Sequence, residues 1–178
     1  GIRFLRMQVK DGQVTGVTVN MGQAELAPER IPVALPESEI IGRPVPIDGK
    51  EWEITCVSMG NPHCVVFCED PDSLELTKVG PKFEKAEIFP EGVNTEFIRV
   101  IDRKTLQMRV WERGSGETLA CGTGACASAV AAILRGYCDR EEEITVHLKG
   151  GELKIRWDLE AVWMTGPAET VFTGEVEA

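Results

Sequence analysis

The sequence lacks any apolar run approaching the ~20 residues that a membrane-spanning helix needs, and no signal-peptide pattern opens it. It is also poor in basic residues, with 19 lysines and arginines against 29 aspartates and glutamates and a net charge of −10. Because phosphate backbones are bound by clustered lysine and arginine, this balance disfavours nucleic acid and anionic membranes as partners. It sets no such limit on a small zwitterionic ligand.

The six cysteines, at positions 56, 64, 68, 121, 126 and 138, include no C-x₂-C pair of the kind common in zinc sites. An even count would suggest disulfides in a small secreted protein, but 178 residues without an export signal favour reduced thiols in a cytoplasm. Cys64 and Cys68 have a spacing that suits packing on one face of a strand. We therefore expect a cytoplasmic protein without a metal site.

Strand-like segments outnumber helical ones, and short turns join most neighbours. Asp-Gly pairs at 11–12 and 48–49 are strong hairpin signals. Such short turns imply antiparallel pairing, so the sequence predicts an α+β fold built on an antiparallel β-sheet. A helix is expected over about residues 74–87, with a break near the Gly-Pro pair at 80–81, and two short strands are expected to finish the chain.

The segment GETLACGTGACASAVAAILRG, residues 116–136, places a cysteine between small residues in front of an apolar helix. Its stretch ACASAVAAIL is hydrophobic nearly all round, which predicts a buried helix wrapped by the sheet. Thr123 is the expected N-cap, and Gly136 is the expected residue just beyond the C-terminus. Cys121 would then stand beside unpaired helix N–H groups, which favour an anion.

The same glycines allow a second interpretation, a phosphate-binding loop. Residues 122–127 match the dinucleotide fingerprint G-x-G-x-x-A, and acidic residues follow at 141–143. That fingerprint requires an apolar parallel strand running directly into the first glycine, whereas here the polar segment ERGSGETLA precedes it. We reject the nucleotide hypothesis, which leaves a reactive thiol or a small buried filler as alternatives for Cys121.

A helix terminus alone cannot activate this thiol. A free cysteine has a pKa of ~8.5, and lowering that pKa to ~7 needs about 2 kcal/mol. The end of a helix typically supplies ~0.3–1 kcal/mol. Another group must therefore set the proton balance at Cys121.

Four blocks follow one another along the chain: SMGNPHCVV at 58–66, PEGVNTEFI at 90–98, ERGSGETLACGTGACASAVAA at 112–132 and MTGPA at 164–168. In this order they resemble the signature blocks of the diaminopimelate epimerase family. The resemblance runs through nearly the whole chain, and its third block is highly specific.

The resemblance implies a diaminopimelate-epimerase-like fold, with an antiparallel sheet wrapped around a central buried α-helix. It implies an enzyme that interconverts LL- and meso-diaminopimelate, precursors of lysine and bacterial cell wall, and uses no pyridoxal phosphate and no metal. Two cysteines face the α-carbon from opposite sides, one removing a proton as thiolate while the other delivers one as thiol. Without an electron-sink cofactor, the carbanion must be stabilised electrostatically in a closed, dry site.

Matched by motif, Cys121 is one of the two catalytic cysteines, and His63 and Glu112 tune the thiol pKa values. The substrate contacts implied are Asn61, Asn94, Glu112, Arg113, Gly122 and Thr123. Arginine can form two parallel hydrogen bonds with a carboxylate, and glutamate can accept a hydrogen bond from an ammonium group. The polar residues also have plainer interpretations, because asparagine is a common turn former and Glu112 with Arg113 could be an exposed pair at the end of a strand.

The family's chain is longer at its N-terminus, where a mirrored cysteine–glycine segment supplies the opposing thiol. We interpret residues 1–22 as a remnant of that N-terminal domain, 23–165 as the C-terminal epimerase domain, and 166–178 as a strand returning to the first domain. The chain is then expected to be a truncated epimerase that is inactive alone. Its expected partners are diaminopimelate and the missing N-terminal domain, and a homodimer is a further possibility.

Two other functions stay open on the sequence. One is a proline or hydroxyproline racemase, or another isomerase of the same fold, which shares the cysteine–glycine segment but not the flanking blocks. The other is a non-catalytic amino-acid-binding half-domain.

Overall fold

The computed structural model of the protein describes residues 4–176, so residues 1–3 and 177–178 of the two predicted terminal segments lie outside the described residues. Residues 4–176 contain two α-helices, α1 (Leu76–Glu84) and α2 (Gly122–Leu134), and short 3₁₀ turns at Pro28–Arg30 and Pro71–Ser73. The strands are β1 (Leu5–Lys10), β2 (Gln13–Gly22), β3 (Arg43–Ile47), β4 (Lys50–Ser58), β5 (Pro62–Phe67), β6 (Asn94–Asp102), β7 (Thr105–Glu112), β8 (Gly116–Glu117), β9 (Ile144–Leu148), β10 (Gly151–Trp157) and β11 (Val162–Pro167).

The strands form one mixed sheet in the order β1-β2-β11-β10-β9-β7-β6-β5-β4-β3, and β8 pairs with β7. Most neighbours are antiparallel, but β5 pairs with β6, and β7 with β9, in parallel. The prediction of an antiparallel sheet is therefore wrong at these two places. Parallel neighbours need a long crossover, and each crossover here contains one of the helices, α1 after β5 and α2 after β7. Turn residues in a sequence indicate hairpins between antiparallel strands, but they give no sign of the long crossovers that join parallel strands.

The helix α1 packs on the sheet through Phe83, whose ring meets that of Phe97 edge-on at 5.4 Å. The predicted break is wrong, because the helix continues through Pro81. Its close approach to the sheet depends on Gly80, since a Cβ atom there would lie 2.3 Å from the indole ring of Trp111. A larger residue would force the helix away from β7.

The helix α2 is buried over nine of its thirteen residues, from Gly124 to Ala132, as its apolar sequence predicts. Its N-cap is Cys121 rather than Thr123: Cys121 has an extended backbone, and its carbonyl accepts a hydrogen bond from the Ala125 N–H at 2.9 Å. Thr123 lies within the first turn. Gly136 ends the helix with a φ of +74°, which confirms the predicted C-terminal signal.

The central strands are buried on both faces, because each helix lies over one side of them. Val57, Val65 and Ile98 pack in the cluster that contains α2. Ile54 and Phe97 pack in the second cluster, with α1. Alternate residues of a strand point to opposite faces, so both sets must be apolar, and these strands read as near-continuous hydrophobic runs.

The end of the chain returns to its beginning. β11 pairs with β2, and β1 forms the edge of the sheet beyond it. Of the two short strands predicted to finish the chain, the described residues contain β11, and residues 168–176 have no strand. With nine and thirteen residues, neither α-helix of the described part is long enough to cross a membrane.

Candidate active site

The predicted site residues come from separate parts of the sequence that meet at one end of the sheet. Because β5 and β6 are parallel, His63 near the start of one lies in register with Asn94 at the start of the other. β7 runs antiparallel to β6, so its last residue, Glu112, lies at the end of the sheet where β6 begins. α2 begins there a few residues later. The topology thus assembles the three longer motif blocks.

A chain of polar contacts links the buried His63 to Cys121. His63 Nε2 lies 3.1 Å from Asn61 Oδ1, and Asn61 Nδ2 donates to Thr123 Oγ1 at 3.2 Å. The Thr123 hydroxyl in turn lies 3.6 Å from Cys121 Sγ. Four of the predicted residues therefore form one connected group.

On its other side, His63 contacts Glu96, a residue that the motif comparison did not single out. His63 Nδ1 lies 2.7 Å from Glu96 Oε1, and both side chains are fully buried. Glu96 Oε2 has no hydrogen-bond partner among the described residues. A signal was present in the sequence: Glu96 interrupts the apolar strand VNTEFIRV, and a buried carboxylate requires a partner.

Gly124 makes room for this carboxylate beside the thiol. A Cβ atom added at Gly124 would lie 2.6 Å from Glu96 Oε1 and 3.2 Å from Cys121 Sγ. No side chain fits there without displacing Glu96 or Cys121. The glycine-rich segment therefore serves at this position to pack a carboxylate against a helix, not to cradle a phosphate.

Cys121 is 6% exposed, and its surroundings oppose ionisation. Burial raises the pKa of the Cys121 thiol to about 11, with further increases from the charges of Glu96 and Glu112. Hydrogen bonds from the Thr123 hydroxyl and the Gly124 backbone N–H lower this pKa, but they do not offset the burial. The helix start that favours an anion is thus outweighed, and Cys121 is a thiol at neutral pH.

Asn94 holds together the two loops that flank the site. Its Nδ2 donates to the Pro62 carbonyl at 2.7 Å, and its Oδ1 accepts from the Arg113 backbone N–H at 2.9 Å. The exposed guanidinium of Arg113 donates to the Glu91 carbonyl at 2.9 Å. Arg113 is therefore held at the rim of the site with its charged group facing solvent.

Glu112 and Gly122 complete the predicted set. Glu112 Oε1 accepts a hydrogen bond from the Thr118 hydroxyl at 2.5 Å. Gly122 is the first residue of α2, and a Cβ atom there would lie 3.0 Å from the sulfur of Met164, in the fourth motif block. The structure thus brings the blocks at 112–132 and 164–168 into contact.

Glu84, at the C-terminus of α1, also supports the site and carried no motif signal. Its carboxylate accepts from Trp111 Nε1 at 2.7 Å and from the Gly114 backbone N–H at 3.0 Å. These contacts hold the turn that follows Glu112 and carries Arg113.

Known proteins share both this sequence pattern and this fold. The family model described as diaminopimelate epimerase matches residues 55–171. The chain belongs to the diaminopimelate epimerase family. It is 51% identical to the diaminopimelate epimerase of Desulfovibrio desulfuricans over 98% of the chain, and 52% identical to that of Acetivibrio thermocellus over 99%. In both cases it spans 63% of the length of the relative.

Solved structures resemble the chain at lower sequence identity. A probable proline racemase from Agrobacterium radiobacter superposes with a TM-score of 0.72 at 12% identity, over 99% of this chain and 58% of that one. A hydroxyproline epimerase from Agrobacterium vitis gives a TM-score of 0.66 at 14% identity, over 94% of this chain and 54% of that one. At these identities the likeness shows a common fold.

Proposed function

We propose that this chain belongs to a cofactor-independent epimerase that interconverts LL- and meso-diaminopimelate by exchanging the proton on the α-carbon. The observation that carries the proposal is the buried Cys121 at the start of α2, linked through Thr123 and Asn61 to His63. Relatives named diaminopimelate epimerase, identical at about half of the aligned positions, support the choice of substrate.

In this proposal Cys121 begins as the acid. A thiolate on the opposite face of the substrate removes the α-proton, and Cys121 Sγ delivers its own proton to the carbanion. Inversion needs the two groups in opposite protonation states, and the pKa of about 11 suits Cys121 to the protonated role. The thiolate left on Cys121 accepts hydrogen bonds from the Thr123 hydroxyl and the Gly124 N–H, and the next turnover runs in reverse.

Substrate recognition follows from the charged groups at the rim. Arg113 can pair with a carboxylate in a bidentate manner, and Glu112 can accept from an ammonium group. The N–H groups of Gly122 and Thr123, in the first turn of α2, suit the carboxylate next to the reacting carbon. Asn61 and Asn94 orient these elements. The fold shared with the probable proline racemase does not favour proline as substrate, because a likeness at 12% identity shows the fold alone.

The proposed reaction needs a second thiol that the described cysteines do not supply. Within residues 4–176 only Cys121 caps an α-helix, and the others are Cys56, Cys64, Cys68, Cys126 and Cys138. We propose that the opposing thiol comes from an N-terminal domain, and that the chain alone is inactive. Residues 1–22 and 166–178 would belong with that domain and 23–165 with the C-terminal one. The pairing of β2 with β11 brings the two ends of the described chain together, as this division requires, although β11 itself crosses the boundary at 165–166.

Two further proposals concern the fold and the compartment. The sheet is proposed to wrap around α2 as a central helix, because this one helix contacts β4 to β7 and β9 to β11. A cytoplasmic location is proposed because none of the six cysteines forms a disulfide in the described residues.

α-Hydrogen exchange tests the function directly. The intact protein that carries this sequence is incubated with LL-diaminopimelate in deuterated water, and α-deuterium and the meso product are followed. We expect Cys121→Ala to abolish both while the circular dichroism spectrum is unchanged. The matched control is Cys138→Ala, a buried cysteine beyond the C-terminus of α2 and far from its N-terminus, which should retain exchange. If Cys121→Ala retains α-hydrogen exchange, Cys121 is a buried packing residue and not a catalytic one.

The 178-residue chain alone provides a second test. We expect no exchange from it, and measurable turnover would contradict the two-thiol mechanism. Protection of Cys121 from alkylation separates the substrates, since diaminopimelate should protect it in the intact protein and proline should not.

A further inference from the structure

We propose that Glu96 is a positioning residue of this site: its carboxylate holds His63 with both ring nitrogens protonated and directs Nε2–H through Asn61 towards the Thr123 hydroxyl beside Cys121. The purpose of this arrangement rests on the proposed function, but the geometry that defines it does not. Every step of this path is a contact between two described side chains, and Glu96 is the residue at the buried end of the path.

The direction of each hydrogen bond follows from Asn61. Its Nδ2 is a donor and faces the Thr123 oxygen, so its Oδ1, an acceptor, faces His63. An acceptor at 3.1 Å from Nε2 requires a proton on that nitrogen. Glu96 Oε1 lies 2.7 Å from Nδ1, so one proton lies between these two atoms. We place that proton on the imidazole because histidine is a stronger base than glutamate, and His63 is then an imidazolium with Glu96 as its counter-charge.

Burial makes this pairing obligatory. Both side chains are fully buried, and an isolated imidazolium or carboxylate could not remain charged there. The charge of Glu96 acts on two neighbouring thiols, Cys64 and Cys121, and burial is the main cause of the raised pKa of both, so they stay neutral. Among the described residues Glu96 is the carboxylate in contact with this imidazole. Replacing it by a neutral group should remove the second proton from His63.

The same carboxylate also acts on the thiol. The space that a Gly124 Cβ would fill is bounded by Glu96 Oε1 at 2.6 Å and Cys121 Sγ at 3.2 Å, so the two atoms lie within about 6 Å of each other, close enough for a Coulomb interaction. The negative charge of Glu96 disfavours a second negative charge on the sulfur and adds to the raised pKa of Cys121. Glu96 thus keeps the thiol protonated while it organises His63.

The two histidines of the chain allow a matched experiment. His147 Nδ1 lies 2.9 Å from Glu152 Oε1 at the surface, so Glu152→Gln makes the same chemical change in an exposed His–Glu pair. ¹⁵N NMR of the imidazole nitrogens at pH 7 reports which of them carry protons. We expect both nitrogens of His63 to be protonated in the wild type, Nδ1 to lose its proton in Glu96→Gln, and Glu152→Gln to leave His63 unchanged. An unprotonated nitrogen on His63 in the wild type would overturn the proposal without any variant.

Alkylation of Cys121 by iodoacetamide, followed by peptide mass spectrometry, is the second readout. Glu96→Gln removes the negative charge of Glu96 and, with it, the positive charge of His63, which is linked to the sulfur only through Asn61 and Thr123. We expect the loss of the negative charge to dominate and the rate at pH 8 to increase, by less than the roughly tenfold that a full pKa unit would give. Glu152→Gln should leave the rate unchanged, and a rate in Glu96→Gln at or below that of the wild type would overturn the action of Glu96 on the thiol. Neither readout uses epimerase activity, so failure here leaves the α-hydrogen exchange test standing, and failure of that test leaves this one intact.

Discussion

Gly124 shows how a single hydrogen atom in place of a side chain shapes the chemistry of Cys121. Glycine inside a helix normally costs up to ~1 kcal/mol relative to alanine, so its presence in the first turn of α2 needs a reason. The reason is the buried carboxylate of Glu96, whose Oε1 lies 2.6 Å from the position that a Cβ atom would take. Glycine at position 124 lowers helix propensity, but it leaves room for the Glu96 carboxylate near the Cys121 thiol.

Gly124→Ala should therefore destabilise the protein, opposite to the usual effect in a helix. The methyl group would overlap Glu96 Oε1, so we expect the free energy of unfolding in urea to decrease by ~1–3 kcal/mol. Gly122→Ala is the matched control in the same turn, because its methyl group meets only the flexible end of Met164 and should change stability little. Equal stability of the two variants would show that Glu96 is not confined at this site.

At the level of elements, α1 acts on the site through the turn that follows β7. The helix approaches Trp111 closely because residue 80 is glycine, and its last residue, Glu84, then reaches the indole N–H and the Gly114 backbone. The exposed turn that carries Arg113 is thereby held by a helix distant in sequence. The geometry of substrate binding thus depends on how α1 packs.

Glu84→Ala should loosen this turn without unfolding the sheet. Loss of a hydrogen bond to a charged acceptor typically costs ~1.5–3 kcal/mol, so amide hydrogen exchange at Gly114 should become faster by about tenfold or more. Glu75→Ala, at the other end of α1 and exposed, should leave this exchange rate unchanged. An unchanged rate in Glu84→Ala would mean that the turn is held by other contacts.

At the level of the whole molecule, the edge strand β1 presents an exposed apolar face. Leu5, Met7 and Val9 alternate along it and are 61%, 63% and 60% exposed. An uncovered edge with an apolar face favours association with another surface. We propose that the isolated chain self-associates through β1.

Met7→Lys should weaken this self-association. Burial of a methionine side chain contributes ~1.5–3 kcal/mol, so we expect the dissociation constant from sedimentation velocity to increase about tenfold or more. Gln8→Lys adds the same charge to the opposite face of β1 and should have little effect. If both variants remain associated like the wild type, the contact lies elsewhere on the surface.

The sequence predicts the site residues that lie within recognisable motifs, but not those whose role depends on a contact with a distant part of the chain. The motif blocks located Cys121, His63 and Asn61, and the structure brings these three together with Thr123. Glu96 was not singled out, because its partner lies on a different strand and the parallel pairing of β5 with β6 could not be read from turns. Because the sequence patterns did not reveal this crossover, they predicted an antiparallel sheet throughout.

The sequence by itself determined the apolar helix α2, its glycine terminus, the hairpins and the family, because these depend on side-chain periodicity, backbone conformation and motif spacing. Only the tertiary structure decided that burial raises the pKa of the Cys121 thiol and that Glu96 contacts His63 and lies near this thiol. The physical reason is that desolvation and Coulomb interactions depend on burial and on distance in space, and residues 63, 96 and 121 become neighbours only when the strands pair.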